Sequence, residues 1–350
     1  MTNAAGLSTG ELGRACGRRG AVACLVAATA CGSSSHATAP TTTTARRAPA
    51  VSSIDRAVQR AAELALGGVG KPADLVAMRA STGEILAYAS RGGLPADDAL
   101  TARYPTGSTF KLVTATALLE HGFTPATAVT CPGSVSIGGT VVSNFGGHPQ
   151  SAATLAQAFA QSCNTAFATL GARLANASFT AAATELGLGA TIDLGRPAFT
   201  GSVVAPISIA ERAVVASDGG ATVVSPLALA TVAATVDSGR LHAVSLVAVG
   251  AAAQARGQAL RANVVAGLRS MMAAAVETGT ASGQGLPQGT HAKTGTAEFA
   301  GGKPSRTVYA WLVGYRGDVA FAVLVVGGAE GGLVAGPIAA RFLDRISAIP

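Results

Sequence analysis

The chain has 350 residues, of which 49% are hydrophobic and only 4% aromatic, so it can bury a sizeable aliphatic core and is not a disordered protein. Its formal charge of +7 is unevenly placed, because Arg14, Arg18, Arg19, Arg46 and Arg47 face a single Glu11 within residues 1–50 while the remainder holds 20 basic and 17 acidic groups. No basic stripe interleaved with aromatics argues for a nucleic-acid partner, and no Cys/His cluster has zinc-site spacing, so neither a metal nor another cofactor is expected.

In chain order, Arg14, Arg18 and Arg19 precede a short apolar run over residues 21–30 that closes on Ala28-Thr29-Ala30-Cys31-Gly32. A basic start, a brief apolar stretch and a small-residue exit form an export signal too short for a comfortable membrane span. The cysteine after that exit resembles a bacterial lipobox, which implies a signal peptide over residues 1–31 and a lipid anchor on Cys31; an ordinary cleaved secretion signal or an uncleaved anchor is the other reading. Residues 32–53 are rich in Ser, Thr and Pro and are expected to be a solvated tether. Anchor and tether together predict a domain on the extracytoplasmic face of the cell membrane.

Patterned sequence begins at Ile54, where apolar positions at helical spacing predict a helix over 54–66. Residues 75–79 and 84–88 read as two strands joined through Ser81-Thr82-Gly83. A buried helix is predicted over 107–120, and residues 153–174 read as helical on both sides of Ser162-Cys163-Asn164. Residues 291–298, 307–315 and 319–326 read as three consecutive strands, and 333–346 as a closing helix. Early strands, a helical middle and late strands predict an α+β, α-β-α arrangement: one antiparallel sheet from both chain ends, flanked by helices, with a mostly helical subdomain. Cys131 and Cys163 can pair or stay free.

Three motifs carry chemistry. In Ser108-Thr109-Phe110-Lys111 a lysine lies one helical turn beyond a serine, where it can take the hydroxyl proton if burial or a second cation such as Lys293 keeps it neutral. Ser162-Cys163-Asn164 sets two hydrogen-bonding side chains in a break between helices: Ser162 can relay a proton, and Asn164 can hold a substrate carbonyl or orient Lys111. In Lys293-Thr294-Gly295-Thr296 alternation puts Lys293 and Gly295 on one strand face and Thr294 and Thr296 on the other. Gly295 permits close backbone approach, the threonine hydroxyls and Lys293 can grip a carboxylate, and the N–H groups of Thr296 and Ser108 can form an oxyanion hole. Only four of the 25 basic residues are lysines, and two of those four stand in these motifs.

With Tyr104-Pro105-Thr106-Gly107, Asn144-Phe145, Ser225-Pro226-Leu227, Gly279-Thr280-Ala281 and Tyr309-Ala310-Trp311, these motifs resemble the transpeptidase domain of class B penicillin-binding proteins, from Ile54 to the C-terminus. The resemblance implies a penicillin-binding/serine β-lactamase-like fold over residues 54–350 and a D,D-transpeptidase acting on D-Ala-D-Ala stem peptides of peptidoglycan. It implies covalent β-lactam binding, and cell-envelope synthesis proteins as partners. By it Ser108 is the acyl-enzyme serine, Lys111 its base, Ser162 a proton relay, Asn164 and Lys293 substrate groups, and Thr294 and Thr296 the carboxylate site beside Gly295. A D,D-carboxypeptidase, a β-lactamase-like hydrolase and a non-catalytic β-lactam-binding scaffold are the alternatives. The sequence departs from the family pattern at Thr106, where a second proline is common, and at Ser217-Asp218-Gly219-Gly220, where Gly-Gln-Gly is usual. The short run from Cys31 to Ile54 also leaves no room for the family's N-terminal pedestal, so a minimal version is expected.

Overall fold

The computed structural model describes residues 51–249, 255–299 and 307–348. The export signal, Cys31 and the tether up to residue 50 lie outside the described residues. The end of the expected tether is already tied down, because Ser52 pairs with Val247 and the buried Ser53 hydroxyl donates to Ile85 O at 2.8 Å.

Asp55 opens α1 (Arg56–Leu66) by accepting from the N–H groups of Ala57 at 2.8 Å and Val58 at 3.0 Å. Such a cap is worth about 1 kcal/mol. The predicted apolar stripe is the face α1 buries, with Val58, Ala61, Ala62, Ala65 and Leu66 in the core. Then come β1 (Ala73–Arg79), β2 (Ile85–Arg91), α2 (Asp98–Thr101) and β3 (Tyr104–Pro105), followed by a 3₁₀ turn (Gly107–Phe110) and α3 (Lys111–Glu120). The hairpin β4 (Ser134–Ile137) and β5 (Thr140–Ser143) leads to α4 (Leu155–Ala160), α5 (Asn164–Gly171), α6 (Asn176–Glu185) and α7 (Ile209–Asp218). Next are β6 (Val223–Val224), α8 (Pro226–Ser238), β7 (Arg240–His242), β8 (Ala255–Ala259) and α9 (Ala262–Glu277). The chain closes with β9 (His291–Phe299), β10 (Thr307–Arg316), β11 (Val319–Val326) and α10 (Gly331–Ser347).

The main sheet has five strands in the order β2-β1-β11-β10-β9, every neighbour antiparallel. The N-terminal hairpin adds to the C-terminal strands through β1 on β11, the two-ended sheet expected from the pattern. Alternation along each strand divides the core. Leu75, Ala77, Phe321 and Val323 pack with Ile338 and Phe342 of α10 and with α1, whereas Val76, Met78, Ala322 and Leu324 face α8 and the helical subdomain. Helices cover both faces, which is why these strands read as continuous apolar runs. Helix α8 is itself buried almost all round, from Leu227 through Val236. Such a helix has no polar face and no periodic signature, and it escaped the sequence reading.

Asp74, at the start of β1, is fully buried, and neither carboxylate oxygen makes a hydrogen bond of acceptable geometry. Burial pushes its pKa up to about 8, partly offset by the Ser90 hydroxyl and reinforced by the nearby Asp98. A carboxyl whose folded pKa is raised gives its full stability below the unfolded value near 3.8 and loses it as pH climbs through about 8. Asp74→Asn is therefore expected to stabilise the fold by about 2–4 kcal/mol at pH 8 and to change little near pH 4. Thermal unfolding at the two pH values checks this, and an equal gain at both would contradict it.

Candidate active site

The turn bearing Ser108 is anchored from the sheet, where the Trp311 indole N–H donates to Pro105 O at 3.0 Å. The predicted single helix over 107–120 is divided: its first turn is 3₁₀, and the Lys111 N–H is shared between Ser108 O and Thr109 O before α-helical bonding takes over. In a 3₁₀ turn residues three apart eclipse, which stacks Lys111 over Ser108 more directly than an α-turn. Lys111 is fully buried, and its Nζ donates to Ser108 Oγ at 2.7 Å, Asn164 Oδ1 at 2.7 Å and Ser217 O at 2.6 Å.

Ser162 lies in the break between α4 and α5, with φ of 59°, the one non-glycine residue at positive φ among the described residues. Strained backbone of this kind persists only where the surroundings impose it. Here the Ser162 hydroxyl accepts from Lys293 Nζ at 2.9 Å, and Asn144 Oδ1 accepts from the N–H groups of Asn164 (3.0 Å) and Thr165 (3.2 Å). Cys163 is bonded to Cys131 with Cα atoms 6.2 Å apart, which resolves the pairing the sequence left open. Asn164 Nδ2 donates to Ser143 O at 2.9 Å while its Oδ1 serves Lys111. The bond to Lys111 is the contact that the orienting role would use. The disulfide closes a segment of 32 residues that includes the β4–β5 hairpin. Reduction is expected to remove about 3–4 kcal/mol of stability, measured by denaturant unfolding with and without a dithiol.

Strand β9 runs along the other side of the serines. A Cβ on Gly295 would stand 2.6 Å from Thr109 Cγ2 and 3.1 Å from Thr106 O, so only glycine lets the strand lie against the nucleophile turn. The Thr294 hydroxyl pairs with that of Thr280, and the Thr296 hydroxyl accepts from the Gly331 N–H at 3.1 Å where α10 begins. Ser108, Ser162, Asn164, Thr294 and Thr296 together line a cleft of about 590 Å³.

Burial pulls the Lys111 amine down to about 7, with the Asp218 carboxylate pulling the other way. Lys293 is driven well below its ordinary value, by burial first and then by Lys111. Of the two influences that could neutralise Lys111, burial or Lys293, burial is the larger cause. Asp218 reaches solvent, but the protein around it partly desolvates its carboxylate and pushes its pKa up, against the opposing effects of the Gly220 N–H and Lys111. The segment 217–220, unassigned from the sequence, thus supplies a carbonyl and a charge to the lysine. Thr106 ties it to the nucleophile turn, its Oγ1 donating to Asp218 O at 3.0 Å. Gly219, at φ of 88°, is required there, since a Cβ would stand 2.2 Å from Thr106 Oγ1. Ser217 acts through its backbone, so its side chain carries no signal, and the Gly-Gly ending of α7 marks only a cap; Asn144 and Thr280 stand in stretches that carry the family resemblance, but their contacts are long-range and the sequence assigns them no role. Among the described residues no group of three or more His, Cys, Asp or Glu is arranged to hold a metal, and no helix is long and apolar enough to cross a membrane.

Ser108 and Ser162 each share a hydrogen bond with a fully buried amine, the pairing that a serine–lysine acyl-transfer centre needs. The chain belongs to the penicillin-binding protein transpeptidase family: the model of that family, described as penicillin binding protein transpeptidase domain, matches residues 74–344. It is 30% identical over 271 residues to the peptidoglycan D,D-transpeptidase PbpA of Mycolicibacterium smegmatis, covering 69% of this chain and 54% of that protein. The chain thus spans about half the length of the curated relatives it matches. Among solved structures it superimposes on the ceftriaxone acyl-enzyme complex of penicillin-binding protein A from M. tuberculosis, with a TM-score of 0.76 and 26% identity over 85% of this chain and 79% of that one. The D,D-transpeptidase domain of a peptidoglycan glycosyltransferase from Eggerthella lenta gives a TM-score of 0.74 and 25% identity over 85% and 83% of the two chains.

Proposed function

We propose that this protein is a peptidoglycan D,D-transpeptidase that forms an acyl-enzyme on Ser108 with D-Ala-D-Ala stem peptides and is acylated by β-lactams. The observation that carries the reading is the set of three acceptors around Lys111 Nζ: Ser108 Oγ, Asn164 Oδ1 and Ser217 O at 2.7, 2.7 and 2.6 Å. A neutral amine has two N–H groups and one lone pair. With Asn164 and Ser217 taking the N–H groups, the lone pair faces the Ser108 hydroxyl and receives its proton as Oγ attacks the substrate carbonyl. The Ser108 and Thr296 N–H groups then stabilise the oxyanion, the Ser162–Lys293 pair passes a proton to the departing D-alanine, and the Thr294 and Thr296 hydroxyls beside Gly295 hold the terminal carboxylate. An incoming amine next displaces Ser108 to complete the cross-link.

The same reading makes peptidoglycan strands, β-lactams and other envelope-synthesis proteins the partners, and the extracytoplasmic face of the membrane the location, with the lipid anchor on Cys31. A diacylglyceryl adduct on the mature N-terminus, detected by mass spectrometry, is the test of the anchor. For the activity, the test is mass spectrometry of products from a D-Ala-D-Ala stem peptide with and without an amine acceptor. A cross-linked product supports the transpeptidase. Free D-alanine alone makes the protein a carboxypeptidase, and no turnover makes it a binding protein; rapid release of hydrolysed antibiotic would instead mark a β-lactamase.

A further inference from the structure

Resting on that reading, we propose that Asp218 is the group that receives the acyl acceptor, pairing with its ammonium ion and taking the proton the nitrogen sheds before it attacks the Ser108 ester. An alkylamine arrives protonated at neutral pH and has no lone pair to attack with until a base near the ester removes a proton. Lys111 carries the proton that returns to the Ser108 oxygen as the ester breaks, which leaves the first ammonium proton to another base. The cleft contains carboxylates for this: Asp218, Glu298 and Glu330 line it together with Ser108, and no lysine or arginine is among its described lining residues. The two active-site lysines are fully buried beneath it.

Asp218 is singled out by its attachments. Its neighbour Ser217 touches Lys111 Nζ through the carbonyl at 2.6 Å, which sets Asp218 next to the nucleophile–base pair. Its backbone carbonyl is held by Thr106 Oγ1 at 3.0 Å, from the turn that carries Ser108, and its Oδ1 accepts from the Gly220 N–H at 2.9 Å. These bonds hold the Asp218 backbone beside the turn that carries Ser108, and its side chain lines the cleft within reach of solvent. The protein around it also raises its proton affinity by partial desolvation although the side chain reaches solvent, and the Gly220 N–H and Lys111 oppose this.

The acceptor R–NH₃⁺ gives one proton to the Asp218 carboxylate, and its lone pair forms the C–N bond at the ester carbonyl. The C–O bond to Ser108 breaks as a second nitrogen proton passes through the Lys111 amine to Oγ. The product amide keeps one N–H, Ser108 regains its hydroxyl, and Asp218 returns its proton to water.

The test is Asp218→Asn, with the acyl-enzyme formed from a D-Ala-D-Ala stem peptide and partitioned between water and two acceptors: a primary alkylamine, charged at pH 7.5, and hydroxylamine, uncharged there. With the alkylamine, the transfer-to-hydrolysis ratio is expected to fall at least about tenfold, through a raised half-saturating acceptor concentration, and with hydroxylamine by less than about threefold. Equal losses with both acceptors, or an unchanged ratio with the alkylamine, would overturn the proposal. So would a loss of penicillin acylation as large as the loss of transfer, because Asp218 would then act only through Lys111. A wild-type protein that transfers to neither acceptor defeats the transpeptidase reading itself, and this inference with it.

Discussion

Ser108→Ala is expected to abolish covalent labelling by a fluorescent penicillin, leaving less than about one thousandth of the wild-type rate. In the proposed mechanism the hydroxyl oxygen becomes the ester oxygen, and alanine has nothing to replace it. The fold should tolerate the change, because the described bond to that oxygen comes from Lys111, which keeps Asn164 and Ser217 as partners. The measurement is gel fluorescence and intact-mass analysis of wild type and variant at matched thermal stability. A label that still attaches would move the nucleophile elsewhere, and the Ser162 hydroxyl, bonded to Lys293 at 2.9 Å, would be the next to examine.

Lys111→Met keeps the length and apolar stem of the side chain and removes the base. The acylation rate constant is expected to drop by about 10²–10⁴, the usual contribution of a positioned general base. In the wild type the same constant should rise with pH through about 7, where burial has placed the Lys111 pKa, because the neutral amine is the active form. The variant should lack that ascending limb. A wild-type profile flat across pH 6–8 would show that Lys111 is not the base.

Stability should move the other way. A lysine whose folded pKa is lowered from 10.5 to about 7 leaves the folded state carrying a penalty that is complete below pH 7 and fades as pH rises toward 10.5. Replacing it by methionine removes a penalty of about 3–5 kcal/mol at neutral pH, set against the loss of three hydrogen bonds. An unfolding midpoint at or above that of wild type, together with lost acylation, would mark a site that sacrifices stability for chemistry.

Much of the molecule was legible along the chain. The stripe of α1, the strands at both ends and the closing helix have periodicities that local burial imposes, so they could be read without knowing their neighbours. The elements that were expected differ mainly at their ends, as with β2, which runs Ile85–Arg91 where 84–88 was expected, whereas the hairpin β4–β5 and the helices α6, α7 and α9 have no counterpart in the expectation. The three motifs were legible for a related reason: a nucleophile and a base one turn apart, or a strand that alternates side chains, are short-range arrangements. Elements buried on all sides, above all α8, were not, because uniform burial erases the polar face that periodicity needs.

What the amino-acid order determined by itself is thus the inventory: a serine with a lysine one turn on, a Ser-x-Asn break and a Lys-Thr-Gly strand. What only the tertiary structure decided is which of those groups act on one another. Asn164 turning to Lys111, the Cys131–Cys163 bond, and the hold of Ser217, Asp218 and Thr106 on the nucleophile turn all join residues far apart in sequence. The protonation of Lys111 was decided there too. A pKa near 7 depends on how completely water is excluded from the amine, and that exclusion is built by walls from separate parts of the chain.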